Sequence, residues 1–257
     1  MNKFIIPFTL NLADDNLIMS QRLSEWTGHG PALEQDIALT NIALDYLGQS
    51  RNFYQYAAVL INDGRLMKEF LTGKTYPVDE DDLAYHRLEH QFKSHLLLEL
   101  PNGDWAQTIL KVFFFSVYQF YLYEQLWQGN DSQLAAIAEK SLKEVKYHVK
   151  WSTDWVLRLG DGTLESKARM LNALEVTWPF THELFEETAW NIPFLSLENI
   201  RQNWKRKIYE VMVEATLAIP DSNVVQAGGL RGVHTENMGY ILAEMQYLQR
   251  VYPGSEW

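Results

Sequence analysis

The stretch Asp36-Ile-Ala-Leu-Thr-Asn-Ile-Ala-Leu-Asp-Tyr-Leu-Gly-Gln-Ser-Arg-Asn-Phe-Tyr-Gln-Tyr-Ala-Ala58 decides the fold, because it carries apolar residues on more than one helical face. Leu33, Ile37, Leu44, Leu47, Tyr54, Ala58 and Ile61 recur at helical spacing and predict one buried stripe. A second set, Ala38, Ile42, Asp45, Tyr46, Gln49, Phe53 and Tyr56, fills another side. A helix covered on several sides lies inside a bundle, so this one, from about Ala32 to Ile61, is expected at the bundle centre. Asp45, Tyr46 and Gln49 stand where a bundle enzyme places metal ligands, yet Tyr and Gln are poor ligands for iron.

A chain of 257 residues can bury a sizeable core, and no linker-like stretch divides it, so a single helical domain over 1–257 is expected. It has no Cys, which excludes disulfides, Cys-ligated zinc and a thiolate nucleophile, and fits a reducing compartment such as the cytoplasm. Twenty-two Lys and Arg against 33 Asp and Glu leave a net charge of −11, which repels polyanions and argues against nucleic-acid binding. Lys205-Arg206-Lys207 does not reverse that: it reads first as a solvated helix face, and second as an acyl-CoA or partner contact. The apolar run within the first ten residues is short, contains Pro7 and leads into Asp14-Asp15 without a small-residue cleavage site, so it is not read as a signal peptide. The most apolar window, Trp105 to Tyr123, is broken by Gln107, Lys111, Ser116 and Gln119, and reads as a core or interface helix rather than a membrane span.

In chain order, Asp14 or Asp15 is expected to cap a first helix through Leu17, Ile18, Leu23 and Trp26, ended by Gly28-His-Gly-Pro31. After the central helix, 62–82 reads as loop. Asp81-Asp82 then open a third helix to Leu98 that carries His86, His90 and His95. A fourth runs from Asp104 to about Gln128, and a fifth from Asp131 or Ser132 to Leu159. Thr163 opens a sixth, in which Pro179 is a kink or end; Ser196 caps a seventh, ending before Pro220; a last helix spans about 235–251 and stops at Pro253-Gly254. Nothing reads as a strand, and the class is all-α, an antiparallel bundle (core about 12–160) with additional C-terminal helices (about 163–251).

Nucleophile-elbow, phosphate-loop and dinucleotide motifs are absent, and Gly228-Gly-Leu-Arg-Gly232 reads more readily as a turn than as an anion site. Di-iron bundles need Glu-x-x-His from two helices, because i and i+3 side chains converge on one side, and no Glu-x-x-His occurs. The nearest spacings are Glu25 with His29, split by Gly28, and Glu144 with His148, which a surface Glu beside a core His explains equally well. No carboxylate network is expected around His86, His90 and His95, and His182 and His234 read as surface or capping residues.

Leu44-Asp-Tyr-Leu-Gly-Gln-Ser-Arg-Asn-Phe53, Lys143-Glu-Val-Lys-Tyr-His148 and above all His234-Thr-Glu-Asn-Met-Gly-Tyr-Ile-Leu-Ala-Glu-Met-Gln-Tyr-Leu-Gln-Arg250 resemble the PaaC-type subunit family of bacterial phenylacetyl-CoA epoxidases, over nearly the whole chain. The resemblance implies a ferritin-like bundle without cofactor of its own. It further implies pairing with a homologous di-iron catalytic subunit of PaaA type, in a monooxygenase with a small bridging subunit and a flavin and iron–sulfur reductase. Matched to the catalytic relative, the six ligand positions fall on Asn16, Tyr46, Gln49, Ser116, Val145 and His148, so that only His148 keeps a ligand-type side chain. The spacing from Asn16 to Tyr46 is 30 residues and from Ser116 to Val145 is 29, as two similar hairpins require. Tyr46 and Val145 would supply volume, while Asn16, Gln49, Ser116 and His148 are expected to satisfy one another. A stand-alone metalloenzyme using His148, Glu144, Asp45 and the His86–His95 helix, and an unrelated helical adaptor, are the competing readings. Among the many aromatic residues of the fourth helix, Trp105, Phe114, Tyr121 and Trp127 are the candidates for a partner interface.

Overall fold

The computed structural model of the chain describes residues 2–64, 77–190, 192–221, 224–252 and 255. Most of the loop expected over 62–82 and the stop at Pro253-Gly254 lie outside the described residues. The regular structure of the described residues is all helical, with no strand, and the long helices form antiparallel hairpins, the all-α make-up of the ferritin-like class. Two compact units result, one of Met1–Pro101, Thr188–Ile192 and Gly228–Trp257, the other of Asn102–Glu187 and Pro193–Ala227.

In the first unit, α1 (Asn2–Ser24) and α2 (Leu33–Gly64) run antiparallel. Ser20 Oγ donates to Ala43 O at 2.8 Å and Ser50 Oγ to Ala13 O at 2.9 Å, so residues seven apart on one helix face residues seven apart, in reverse, on the other. The turn between them needs Gly28 at φ +84°, and its amides at Gly28 and Gly30 donate to Asp36, holding that carboxyl below the usual range. Helix α1 begins twelve residues before the expected cap, and Asp14 and Asp15 are buried in its middle. A carboxylate doublet looks like a cap when its partners lie some 75 residues away.

The expected third helix is also corrected. Only α3 (Glu80–Tyr85), capped by Asp79, a 3-10 turn at Glu89–Gln91 and one helical turn, α4 (Leu96–Glu99), form. The reason lies in the backbone donors: Lys93 N and His95 N, which a continuous helix would direct at carbonyls four residues back, point instead at Asp14 and Asp15. His86, His90 and His95 therefore share no helix face.

The second unit matches its caps. Asp104 accepts from Gln107 N and opens α5 (Trp105–Trp127); Asp131 accepts from Gln133 N and Leu134 N and opens α6 (Ser132–Gly160). The Trp105 ring, at the start of α5, packs edge-on against Trp151 and Trp155, near the end of α6, so these helices too are antiparallel. Thr163 caps α7 (Leu164–Thr177), a 3-10 segment Trp178–Phe185 follows at Pro179, and Ser196 caps α8 (Leu197–Glu214). The last helix, α9 (Glu236–Val251), packs on α1, α3 and α4 in the first unit. The helices after residue 163 thus divide, α7 and α8 going to the second hairpin and α9 to the first.

Candidate functional site

Asn16 on α1 and Tyr46 and Gln49 on α2 are buried, as are Ser116 on α5 and Val145 and His148 on α6, none more than 1 % exposed. Tyr46 and Gln49, like Val145 and His148, are three apart and lie on one side of their helix. Asn16 Nδ2 donates to Leu12 O at 2.7 Å and Ser116 Oγ to Phe113 O at 3.3 Å, each a bond back to its own helix. These six side chains include no carboxylate, and among the described residues no group of three or more His, Asp or Glu is disposed to hold a metal ion. The donor set does not fit a di-iron centre, which needs hard anionic oxygens to offset the metal charge. Asp45 and Glu144, adjacent in sequence to Tyr46 and Val145, are only half-buried, whereas Asp15, adjacent to Asn16, is buried and paired with His95.

The buried carboxylates of the first unit are elsewhere. Asp14 receives Arg87 through both Nη1 and Nη2, Tyr54 Oη at 2.5 Å and Lys93 N at 2.7 Å. The Arg87 guanidinium also donates to Leu83 O and lies 4.2 Å from the Phe92 ring centre. Asp15 accepts from His95 N and pairs with His95 Nδ1, both at 2.8 Å, and accepts from Asn11 Nδ2 at 3.2 Å. Glu99 faces His234 Nδ1 at 2.6 Å and accepts from Ser94 Oγ, Thr235 N and Thr235 Oγ1, while its carbonyl takes Arg22 Nε and Nη2. A carboxylate network therefore does surround His95 and His234, and His234 is a buried partner of Glu99, not a surface residue. Its acceptors are filled by internal donors and closed to solvent, so its task is to tie the irregular 86–100 segment and the 228–235 turn to α1. The glycines of that turn serve the same packing, since a Cβ at Gly229 or Gly232 would overlap Ser94 O or His90 O.

Burial raises Asp15 above the ordinary carboxylate range, partly offset by His95, and raises the Tyr54 phenol well above its usual value, with the Asp14 charge adding to the effect. Burial lowers the affinity of His234 for its second proton, but the hydrogen bond and charge of Glu99 outweigh it and leave the imidazole above its usual value. His234 Nε2 also lies 3.2 Å from Phe92 O, an acceptor that suits a ring protonated on both nitrogens. A histidine that binds its proton more tightly when folded contributes stability that is complete below the unfolded value of about 6.5 and is lost as pH rises through the folded value. Urea midpoints measured from pH 6 to 9 are therefore expected to fall across that window, and His234→Gln to remove the fall; an unchanged slope in the variant would assign it elsewhere.

The remaining expected residues scatter. Glu25 pairs with Arg22, and His29, exposed, sits 3.2 Å from Thr27 O. His86 is half-buried at the end of α3, His90 is exposed, and His182 is half-buried, its proton affinity lowered by burial and by Arg201 and Lys205. Phe114 has no exposed surface: its ring packs against those of Trp178 and Trp204, which also touch each other, and Trp204 Nε1 donates to Phe114 O at 2.9 Å. Trp105 and Tyr121 are half-buried, and Trp127 is exposed.

Another face is open instead. Leu33, Ile37, Leu44 and Leu47 on α2, expected in the core, are 43–71 % exposed, whereas Tyr54, Ala58 and Ile61 on the same stripe are buried. The chain's own 78–85 segment covers the second half, where Glu80 takes Arg51 and Gln55, and Asn62 exchanges hydrogen bonds with Val78. A cavity of about 270 Å³ bounded by Leu47, Arg51, Tyr54 and Glu80 marks where the cover stops. The uncovered leucines and Ile37 fall within about 80° of the helix circumference, and a Cβ at Gly48 beside them would meet nothing within 4 Å.

The sequence matches the family described as phenylacetic acid catabolic protein (PaaA_PaaC) over residues 2–257. It is 44 % identical over 260 residues to the C subunit of 1,2-phenylacetyl-CoA epoxidase from Escherichia coli (strain K12), covering 98 % of this chain and 99 % of that protein.

Proposed function

Because the chain belongs to the phenylacetic acid catabolic protein family, we propose that it is a non-catalytic structural subunit of a phenylacetyl-CoA epoxidase, paired with a homologous di-iron catalytic subunit in aerobic phenylacetate breakdown. The observation that carries this reading is the state of the six matched positions: all are buried, and Asn16, Tyr46, Gln49, Ser116 and Val145 cannot replace the carboxylates and histidine of an iron centre. The helices are kept while the metal-binding side chains are not, so the selected property is the surface. The reductase, with its flavin and iron–sulfur groups, and the bridging subunit belong to the same proposed assembly, located in the cytoplasm.

The partner face on this reading is the uncovered half of the α2 stripe, with Trp127 as a further aromatic candidate. Four large apolar side chains on one side of a helix have no role in the chain's own core, and their burial by a homologous helix would contribute to association in proportion to the apolar area covered. Co-expression with the catalytic subunit tests it. Leu44→Glu with Leu47→Glu is expected to abolish co-purification while changing the chain's own unfolding midpoint by no more than an ordinary surface substitution, within roughly 0.5 kcal/mol. Retained pairing in that variant would move the interface elsewhere; loss of folding would mean that the stripe is core.

A further inference from the structure

In the second unit, α5, α6 and α8 enclose a groove of about 280 Å³ lined by Val117, Phe120, Tyr121, Lys146, Val149 and Lys207. Val117 and Val149 give it apolar lining, and the half-buried Phe120 and Tyr121 rings stand at 78° to each other, 5.1 Å apart, offering differently oriented aromatic surfaces. Lys146 on α6 and Lys207 on α8 bring two ammonium groups to it from different helices, and among the described residues neither makes an ion pair or hydrogen bond. Arg206 donates to Asn203 Oδ1 at 2.6 Å, and its charge, with those of Glu124 and Glu210, reaches Tyr121. The basic tripeptide read as a solvated face is thus divided: Lys205 and Arg206 are exposed, and Lys207 lines the groove.

We propose that this groove binds the nucleotide end of a phosphorylated ligand, stacking an adenine ring on Phe120 or Tyr121 and holding phosphate between Lys146 and Lys207. Lysine ammoniums act as point charges suited to phosphate, whereas a planar carboxylate would be matched by an arginine fork. Bases stack on aromatic rings irrespective of their hydrogen-bonding edges. The volume is just under the roughly 300–1,000 Å³ of sites that enclose whole small molecules, so the groove takes a ring and its adjoining phosphate and leaves the rest of the ligand outside. That suits a handle on a longer molecule. Coenzyme A thioesters and free adenine nucleotides share this chemistry, and the choice of the thioester as the natural source rests on the epoxidase reading above.

Calorimetric titration of the full chain, alone, with coenzyme A, ADP and phosphopantetheine tests the proposal. Coenzyme A and ADP are expected to bind and phosphopantetheine, which lacks the ring, to bind at least tenfold more weakly. Lys146→Ala with Lys207→Ala, and separately Phe120→Ala, are expected to weaken ADP binding at least tenfold with the unfolding midpoint preserved. Coenzyme A binding tighter than ADP assigns the thioester; equal binding assigns free nucleotide. No binding of either, equal binding of phosphopantetheine, or binding indifferent to the two lysines overturns the proposal, as does protection of the groove by a protein partner in a chain that binds no nucleotide. Because no other subunit is present, these results are independent of whether the chain pairs with a catalytic homologue.

Discussion

Arg87→Met is expected to lower the stability of the chain by about 3–5 kcal/mol, as removal of one member of a buried ion pair does. Arg87 and Asp14 are both closed to solvent, with side chains 1 % and 0 % exposed. Without the guanidinium, Asp14 keeps only Tyr54 Oη and Lys93 N as donors, and the carbonyls of Leu83 and Gln91 lose theirs. The carboxylate would then be protonated or the 86–95 segment would leave α1. Combining Arg87→Met with Asp14→Asn removes the stranded charge and is expected to recover part of the loss, so that the two effects do not add. Urea unfolding of the two single variants and the double checks this; additive losses would mean that the pair is not coupled.

Trp204→Ala should produce a loss of similar size, about 3–5 kcal/mol, in the second unit. Its indole is almost wholly buried, touches the rings of Phe114, Trp178 and Phe185, and donates to Phe114 O. Truncation leaves a void that three aromatic rings cannot fill by rotamer changes, since each is itself packed. Trp204→Phe keeps most of the volume and loses the indole donor, for a smaller decrease of about 1 kcal/mol. Thermal unfolding of both variants separates the packing from the hydrogen bond; equal losses would place the effect on the donor.

These two residues also mark where the sequence was readable. The caps Asp104, Asp131, Thr163 and Ser196 all accept from the first-turn amides of the helices they were expected to open, because capping is local and one residue type serves it. Trp204 belongs to a helix read correctly from its cap and period. Arg87 does not: its segment has helical composition, but donors at residues 93 and 95 answer to carboxylates on α1, and sequence periodicity carries no sign of that. Asp14 and Asp15 misled for the same reason, as did His234, whose partner Glu99 is 135 residues away. The α2 stripe was correctly placed on one face, but only the presence of the 78–85 segment decides which half is covered. Phe114 was an interface candidate on composition, and its neighbours Trp178 and Trp204 show that the aromatic excess of α5 is largely met within its own unit. At the six matched positions the residue types are in the sequence, but their burial is a tertiary fact.

The most direct test of the structural-subunit reading is reconstitution. Phenylacetyl-CoA epoxidation is measured with the catalytic subunit, the bridging subunit and the reductase, with and without this chain, and with this chain in place of the catalytic subunit. Turnover only when both the chain and the catalytic subunit are present is the predicted result. Full turnover without the chain, or turnover when it replaces the catalytic subunit, would contradict it.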